Sequence, residues 1–196
     1  MPALEIMLDG VTIVTVSTDE LNMLAARVSG ALIDEAIASL NVSGGYYSQS
    51  GPSTYLTWIA DAPLQAVQQI RILFHRHGQS SCPGKTIEEL YPDEPSVAQT
   101  DFTPTAEMFQ QLRAMPNVRE KLVLDLKSSS GASFHGETAA GEGSFALSIL
   151  WDSTHPERAR VSLHSNSLDN LEVKGPLNYL FKENMAYGGF VELRIA

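Results

Sequence analysis

Cysteine is almost absent from this chain. Cys82 is the single one in 196 residues, so no internal disulfide can form and nothing points to an oxidising compartment. Basic residues are scarce too: 13 Lys and Arg stand against 23 Asp and Glu, for a formal net charge of −10. Such a surface repels phosphate backbones and anionic lipid, which argues against sequence-independent nucleic-acid binding and membrane attachment. It attracts basic proteins instead. The deficit is uneven, because residues 1–98 hold 11 acids and 4 bases (−7) while residues 99–196 hold 12 and 9 (−3). No apolar run nears the roughly 20 residues that span a bilayer. The opening MPALEIMLDG lacks the basic start and long apolar stretch of a signal peptide. A cytoplasmic chain is expected.

What is present reads mainly as strand. Hydrophobic residues make up 43% of the chain and charged ones 18%, enough apolar surface for a core and too little charge for disorder. Leu4–Leu8 and Val11–Thr15 flank Asp9-Gly10, a pair that favours a two-residue hairpin turn with positive φ at both positions. That register sets Leu8 against Val11 and Ile6 against Ile13, so Leu4, Ile6, Leu8, Val11 and Ile13 share one face. Residues 17–29 support two readings. Ser17-Thr18-Asp19-Glu20 offers a helix capping box, whereas strands on both sides favour a strand from Asn22 to Ser29, and the strand is preferred. In Ala36–Tyr47 the paired Gly44-Gly45 predict a bulge. Thr54–Ile59 is a strand stopped by Asp61-Ala62-Pro63. Gln69–His77 is another, with Ile70, Ile72 and Phe74 facing inward.

After Gly78 the texture changes. Lys85–Tyr91 fits one or two helical turns, and residues 92–102 read as a linker or long loop. A helix is predicted with Thr103 as N-cap, Pro104 at its first position and a stop before Pro116. Leu122, Leu124 and Leu126 alternate on one strand face. Ser133–His135 is a short strand, Phe145–Trp151 and Arg158–His164 form a hairpin with a long loop, and Phe190–Ile195 closes the chain. The expected fold is mainly β with few short helices: a sandwich-like domain over 1–91 and a β-rich α+β domain over 103–196. The tetrapeptide Ala26-Arg27-Val28-Ser29 recurs as Ala159-Arg160-Val161-Ser162, too short a match to argue duplication.

Each chemical motif has a plain alternative. Gly84-Lys85-Thr86 ends like a phosphate-binding loop, but the first glycine belongs at Gln79 and sits at Gly78, and Pro83 removes one N–H from the cradle. A capped turn is expected there, without nucleotide. His75 and His77 lie on one strand face about 6.5–7 Å apart, with Cys82 beyond a turn. Three zinc ligands with no fourth at motif spacing do not make a metal site. Ser133 near His135, and Ser162 and Ser165 around His164, lack the nucleophile elbow of a serine hydrolase. Cys82 reads as a surface thiol. Tyr46, Tyr47, Tyr55 and Trp58 read first as core aromatics, with an aromatic surface for a sugar or peptide as the alternative; adjacent tyrosines on a strand point to opposite faces, so one of Tyr46 and Tyr47 is expected to be exposed or at a bulge.

No catalytic residue, metal ligand or cofactor-binding residue is therefore assigned, and the balance leans against an enzyme. The acidic cluster Glu88, Glu89, Asp93 and Glu94 is the feature assigned to a partner, because complementary charge speeds association with a basic protein. In length, acidity and the emptiness of its motifs the chain resembles the profile of bacterial immunity proteins. The profile implies a non-enzymatic module that inhibits a basic toxin domain. The alternatives are a structural protein that self-associates through strand edges, and a hydrolase or metal enzyme with an unrecognised site.

Overall fold

The computed structural model describes residues 1–48, 51, 53–93 and 103–196. Among these, twelve strands form two six-stranded antiparallel sheets, joined by three short helices. The elements are β1 (Ala3–Leu8), β2 (Val11–Ser17), β3 (Met23–Ala31), β4 (Ala38–Tyr46), β5 (Thr54–Leu64), β6 (Gln69–His75), α1 (Ile87–Leu90), α2 (Ala106–Ala114), β7 (Val123–Ser128), β8 (Ser133–Glu137), β9 (Ser144–Asp152), β10 (Arg158–Asn166), α3 (Leu168–Glu172), β11 (Asn178–Ala186) and β12 (Phe190–Ile195). The first sheet runs β2-β1-β6-β12-β7-β8 and the second β11-β10-β9-β3-β4-β5.

Alternation fills the space between them. Leu4, Ile6, Ile70, Ile72, Phe74, Leu124, Leu126, Val191 and Leu193 from the first sheet meet Leu24, Val28, Leu40, Val42, Leu147, Ile149, Trp151, Val161 and Leu163 from the second in one hydrophobic cluster. Period-two patterning puts every second side chain on the inner face. Trp151, the largest fully buried side chain, keeps its indole N–H satisfied by donating to the Pro156 carbonyl at 3.1 Å. Residues 1–91 and 103–196, read from the sequence as two domains, contribute to the same sheets and the same core. β12 lies between β6 and β7, and β9 pairs with β3. Most of the expected linker, residues 94–102, lies outside the described residues.

Local departures from the expected pattern have local causes. The Asp9-Gly10 turn forms, with φ of 51° and 81°, and Leu8 pairs with Val11. A bulge follows: Met7 pairs with Thr12 and Ile6 with Val14, leaving Ile13 unmatched. One extra residue reverses every later side chain in a strand. Val14 and Val16 enter the core, while Val11 is 66% and Ile13 42% exposed.

The capping residues at 17–20 nucleate no helix, because Thr18 is buried with its hydroxyl donating to the Pro2 carbonyl; the strand begins at Met23. The ladder at Gly44-Gly45 is continuous, opposite Leu56 and Tyr55, and β4 is irregular at Leu40–Ser43 instead. Those glycines serve close approach: a Cβ on Gly45 would stand 2.2 Å from the Thr54 carbonyl oxygen. β5 runs past Asp61-Ala62-Pro63 because Asp61 takes a positive φ of 46° where the ladder skips, and β5 is an edge, where proline is tolerated. Helix α2 is capped by Thr105, whose hydroxyl accepts from the Met108 N–H, two residues later than the expected Thr103. Helix α3 and strand β11 were not anticipated.

Candidate functional site

The segment from Gly78 to Asp93 ties the two sheets together along one side of the sandwich. β2 and β5 are edge strands of different sheets. Ser81 donates its N–H to the Thr15 carbonyl at 2.9 Å, and the hydroxyls of Ser81 and Ser80 accept from the Thr15 and Ser17 N–H groups. Farther on, Lys85 and Thr57 exchange backbone hydrogen bonds of 2.8 and 2.9 Å on the β5 edge. Groups that would otherwise invite another strand are thereby paired. Gly84 lets the segment press against Trp58, since a Cβ there would lie 2.9 Å from the indole ring, and the indole N–H donates to the Cys82 carbonyl at 3.2 Å.

This packing accounts for Gly84-Lys85-Thr86. Thr86 is the N-cap of α1 and forms a capping box with Glu89: its hydroxyl accepts from the Glu89 N–H, and the Glu89 carboxylate accepts from the Thr86 N–H at 2.8 Å. Glu89 is thus partly committed to the turn. Glu88 and Asp93 are exposed and make no hydrogen bond or ion pair to a described residue. Glu94 lies outside the described residues. Ile87 and Tyr91, 55% and 43% exposed, flank the acids. Tyr55 on β5 and Tyr46 and Tyr47 at the end of β4 are also exposed, which corrects their reading as core aromatics; Trp58 is half-buried. Burial first, and then neighbouring Tyr55, raises the Tyr47 hydroxyl above its ordinary pKa.

The remaining sequence candidates disperse. His75 Nε2 meets Glu5 Oε2 at 2.7 Å across β1–β6, while His77 and Cys82 stand exposed. Among the described residues no three His, Cys, Asp or Glu side chains converge as a metal site. His135 faces Asp125 at 3.9 Å, and Ser165 donates to Glu142. No hydrogen bond joins Ser133 to His135, or Ser162 or Ser165 to His164.

Two concavities lie elsewhere. A cleft of about 700 Å³ opens between α2, the β3–β4 connection and the β8–β9 loop. Both of its cations are paired, Arg113 with Asp169 and Glu172 and Lys121 with Glu137, and Glu142 accepts from Ser165 and Asn178. A shallower depression of about 480 Å³ lies over β9, β10 and β11, bordered by Ser148, Arg160, Ser162, Tyr179 and Lys182. The sequence reading passed over this group, although the repeated Ala-Arg-Val-Ser was a signal. Each copy buries Ala and Val and turns Arg outward, on the two strands that flank β9.

No protein-family model, no curated protein and no solved structure matches this chain. Among the described residues, no helix is long and apolar enough to cross a membrane.

Proposed function

We propose that the protein is a non-enzymatic binding module that engages a basic protein through Glu88, Glu89, Asp93 and Glu94. The observation that supports this most is the company these acids keep on the β5 side. Unpaired Glu88 and Asp93 sit on and just after a helical turn fixed by its capping box, beside exposed Ile87 and Tyr91, and Lys85 just before that turn pairs with β5, the edge strand that carries exposed Tyr55. Tyrosine supplies contact area at low entropic cost and is enriched where proteins meet, while surrounding charge selects the partner. An immunity-type inhibitor of a basic toxin domain is the concrete form of the proposal. Self-association through strand edges is the second reading; the loop occupies backbone groups of β2 and β5, which leaves it the β8 and β11 edges, and light scattering on a purified sample tests it.

The decisive experiment is association kinetics with a basic partner recovered from the host. Exposed charges act over about 8 Å at physiological ionic strength, so the on-rate should fall with salt while the off-rate changes less. Reversing Glu88, Glu89, Asp93 and Glu94 to Lys should slow association more than tenfold. An on-rate indifferent to both salt and the four reversals removes the basis of the proposal.

A further inference from the structure

The outer face of the second sheet is cationic in a chain of net charge −10. Register builds one row across four strands: Lys182 on β11 pairs with Ser162 on β10, Ser162 with Ser148 on β9, and Ser148 with Arg27 on β3. Paired residues share a face. One step along, Arg160 lies on the same face, and one step the other way stands His164. On the outward positions of β3, β9, β10 and β11, Arg27, Arg158, Arg160 and Lys182 are opposed by a single acid, Asp152, which pairs with Arg160 at 3.2 Å. Glu183, which also borders the depression, is paired with buried Val161 and so faces the inner side.

Three of the four donors in this row are uncommitted. Neither the Arg27 guanidinium nor the Ser148 and Ser162 hydroxyls have a hydrogen-bond or ion-pair partner among the described residues. Lys182 Nζ is held 3.3 Å over the Tyr179 ring, and that ring meets His164 edge-on at 5.9 Å. His164 Nδ1 is buried with no hydrogen-bond partner among the described residues, a cost a native structure usually avoids. Three strand spacings of about 4.8 Å separate Arg27 from Lys182, and both side chains are long enough to reach in over the serine pair.

We infer that this row is a binding site for a tetrahedral oxyanion, a phosphoryl group, with Arg27 and Lys182 neutralising it from two sides and Ser148 and Ser162 donating from below. A guanidinium, an ammonium and two hydroxyls address more than two oxygens, which favours phosphate over a carboxylate. The site is separate from the acidic turn and stands or falls independently of it.

The test is a titration of the full chain with inorganic phosphate at constant ionic strength, followed by backbone amide NMR. Saturable shifts centred on Arg27, Ser148, Ser162 and Lys182 are expected. A hydrogen bond to a charged group contributes enough that losing one weakens binding about tenfold. Arg27→Gln and Lys182→Gln should each do so; Ser148→Ala should weaken binding less, and Arg71→Gln on the opposite sheet should leave it unchanged. A phosphoserine peptide binding tighter than free phosphate places the group on a protein ligand; equal affinities place it on a small molecule. Shifts linear in phosphate, acetate binding as well as phosphate, or equal loss with Arg71→Gln would each overturn the assignment.

Discussion

The two outer faces of this sandwich are built on the same core and carry opposite charge logic. On the first sheet signs alternate across the strands: Arg71 pairs with Glu192 and Glu192 with Lys127, and in the next row Arg194 pairs with Asp125 and Asp125 with His135. Each cation there has an acid beside it, and Arg71 also lies 3.8 Å over the Phe190 ring. The corresponding row on the second sheet reads Lys182, Ser162, Ser148, Arg27, Asn41, with no acid in it. Opposite charges placed side by side stabilise a sheet modestly; cations left without them do not. The first face thus sets an acid beside each of these cations, and the corresponding row of the second does not.

The comparison assumes that the faces share one interior, and breaking that interior should produce the largest effect. Phe74 of the first sheet is fully buried and stacks on Tyr187 at 4.9 Å, and Trp151 of the second is buried among strands from both halves of the chain. Phe74→Ala and Trp151→Ala should each cost about 3–5 kcal/mol. In both variants the sheets should unfold in a single transition by urea denaturation, followed by fluorescence and by far-UV circular dichroism. Two separated transitions, one per sheet or one per half of the chain, would show that the common core is not cooperative.

Smaller changes separate the faces themselves. Arg71 packs on an aromatic ring, so Arg71→Ala should destabilise by about 0.5–2 kcal/mol. Arg27→Ala should stay within about 0.5 kcal/mol, as exposed positions without partners do. Matched urea melts of the two variants measure the difference. If Arg27→Ala proves as costly as Arg71→Ala, Arg27 serves the fold and the contrast between the faces is lost.

What the sequence made legible follows the same division between local and long-range causes. The Asp9-Gly10 turn, the inward triplets Ile70, Ile72, Phe74 and Leu122, Leu124, Leu126, and the closing strand Phe190–Ile195 were readable because alternation and turn chemistry act within a few residues. The bulge that turns Ile13 outward was not, because nothing in Val11–Thr15 marks the extra residue. Placing β12 between β6 and β7 depends on pairings between residues far apart in the chain, such as Phe190 with Leu73 and Val191 with Ser128, which no local pattern encodes. The acidic cluster was visible as composition, but its anchorage came from Gly84 under Trp58 and from serines on the β2 edge. The repeated Ala-Arg-Val-Ser hinted at two members of the cationic row, Arg27 and Ser162, but its four residues come from four strands and meet only through register.

The smallest expected effect is electrostatic, and it distinguishes the faces by the pH at which each loses stability. On the first sheet Glu5 is held below the usual carboxylate range, chiefly by the Thr12 hydroxyl and then by His75. Its contribution is present above the ordinary carboxylate value of about 4.3 and is lost as pH falls through the lower folded value. On the second sheet His164 is held below its ordinary value, first by burial and then by the Arg27 charge. A histidine depressed in the folded state is protonated more readily when unfolded. The fold therefore loses stability as pH drops from about 6.5 toward the lower folded value, and gains nothing above 6.5. Urea midpoints of the wild type should decline between about pH 7 and 5 relative to those of His164→Gln, whereas Glu5→Gln should run at a constant offset from the wild type in that window and converge with it as pH falls below about 4. Parallel midpoints for the wild type and His164→Gln across pH 7 to 5 would mean that the imidazole is as easily protonated in the fold as outside it, and that Arg27 and burial impose no strain on this face.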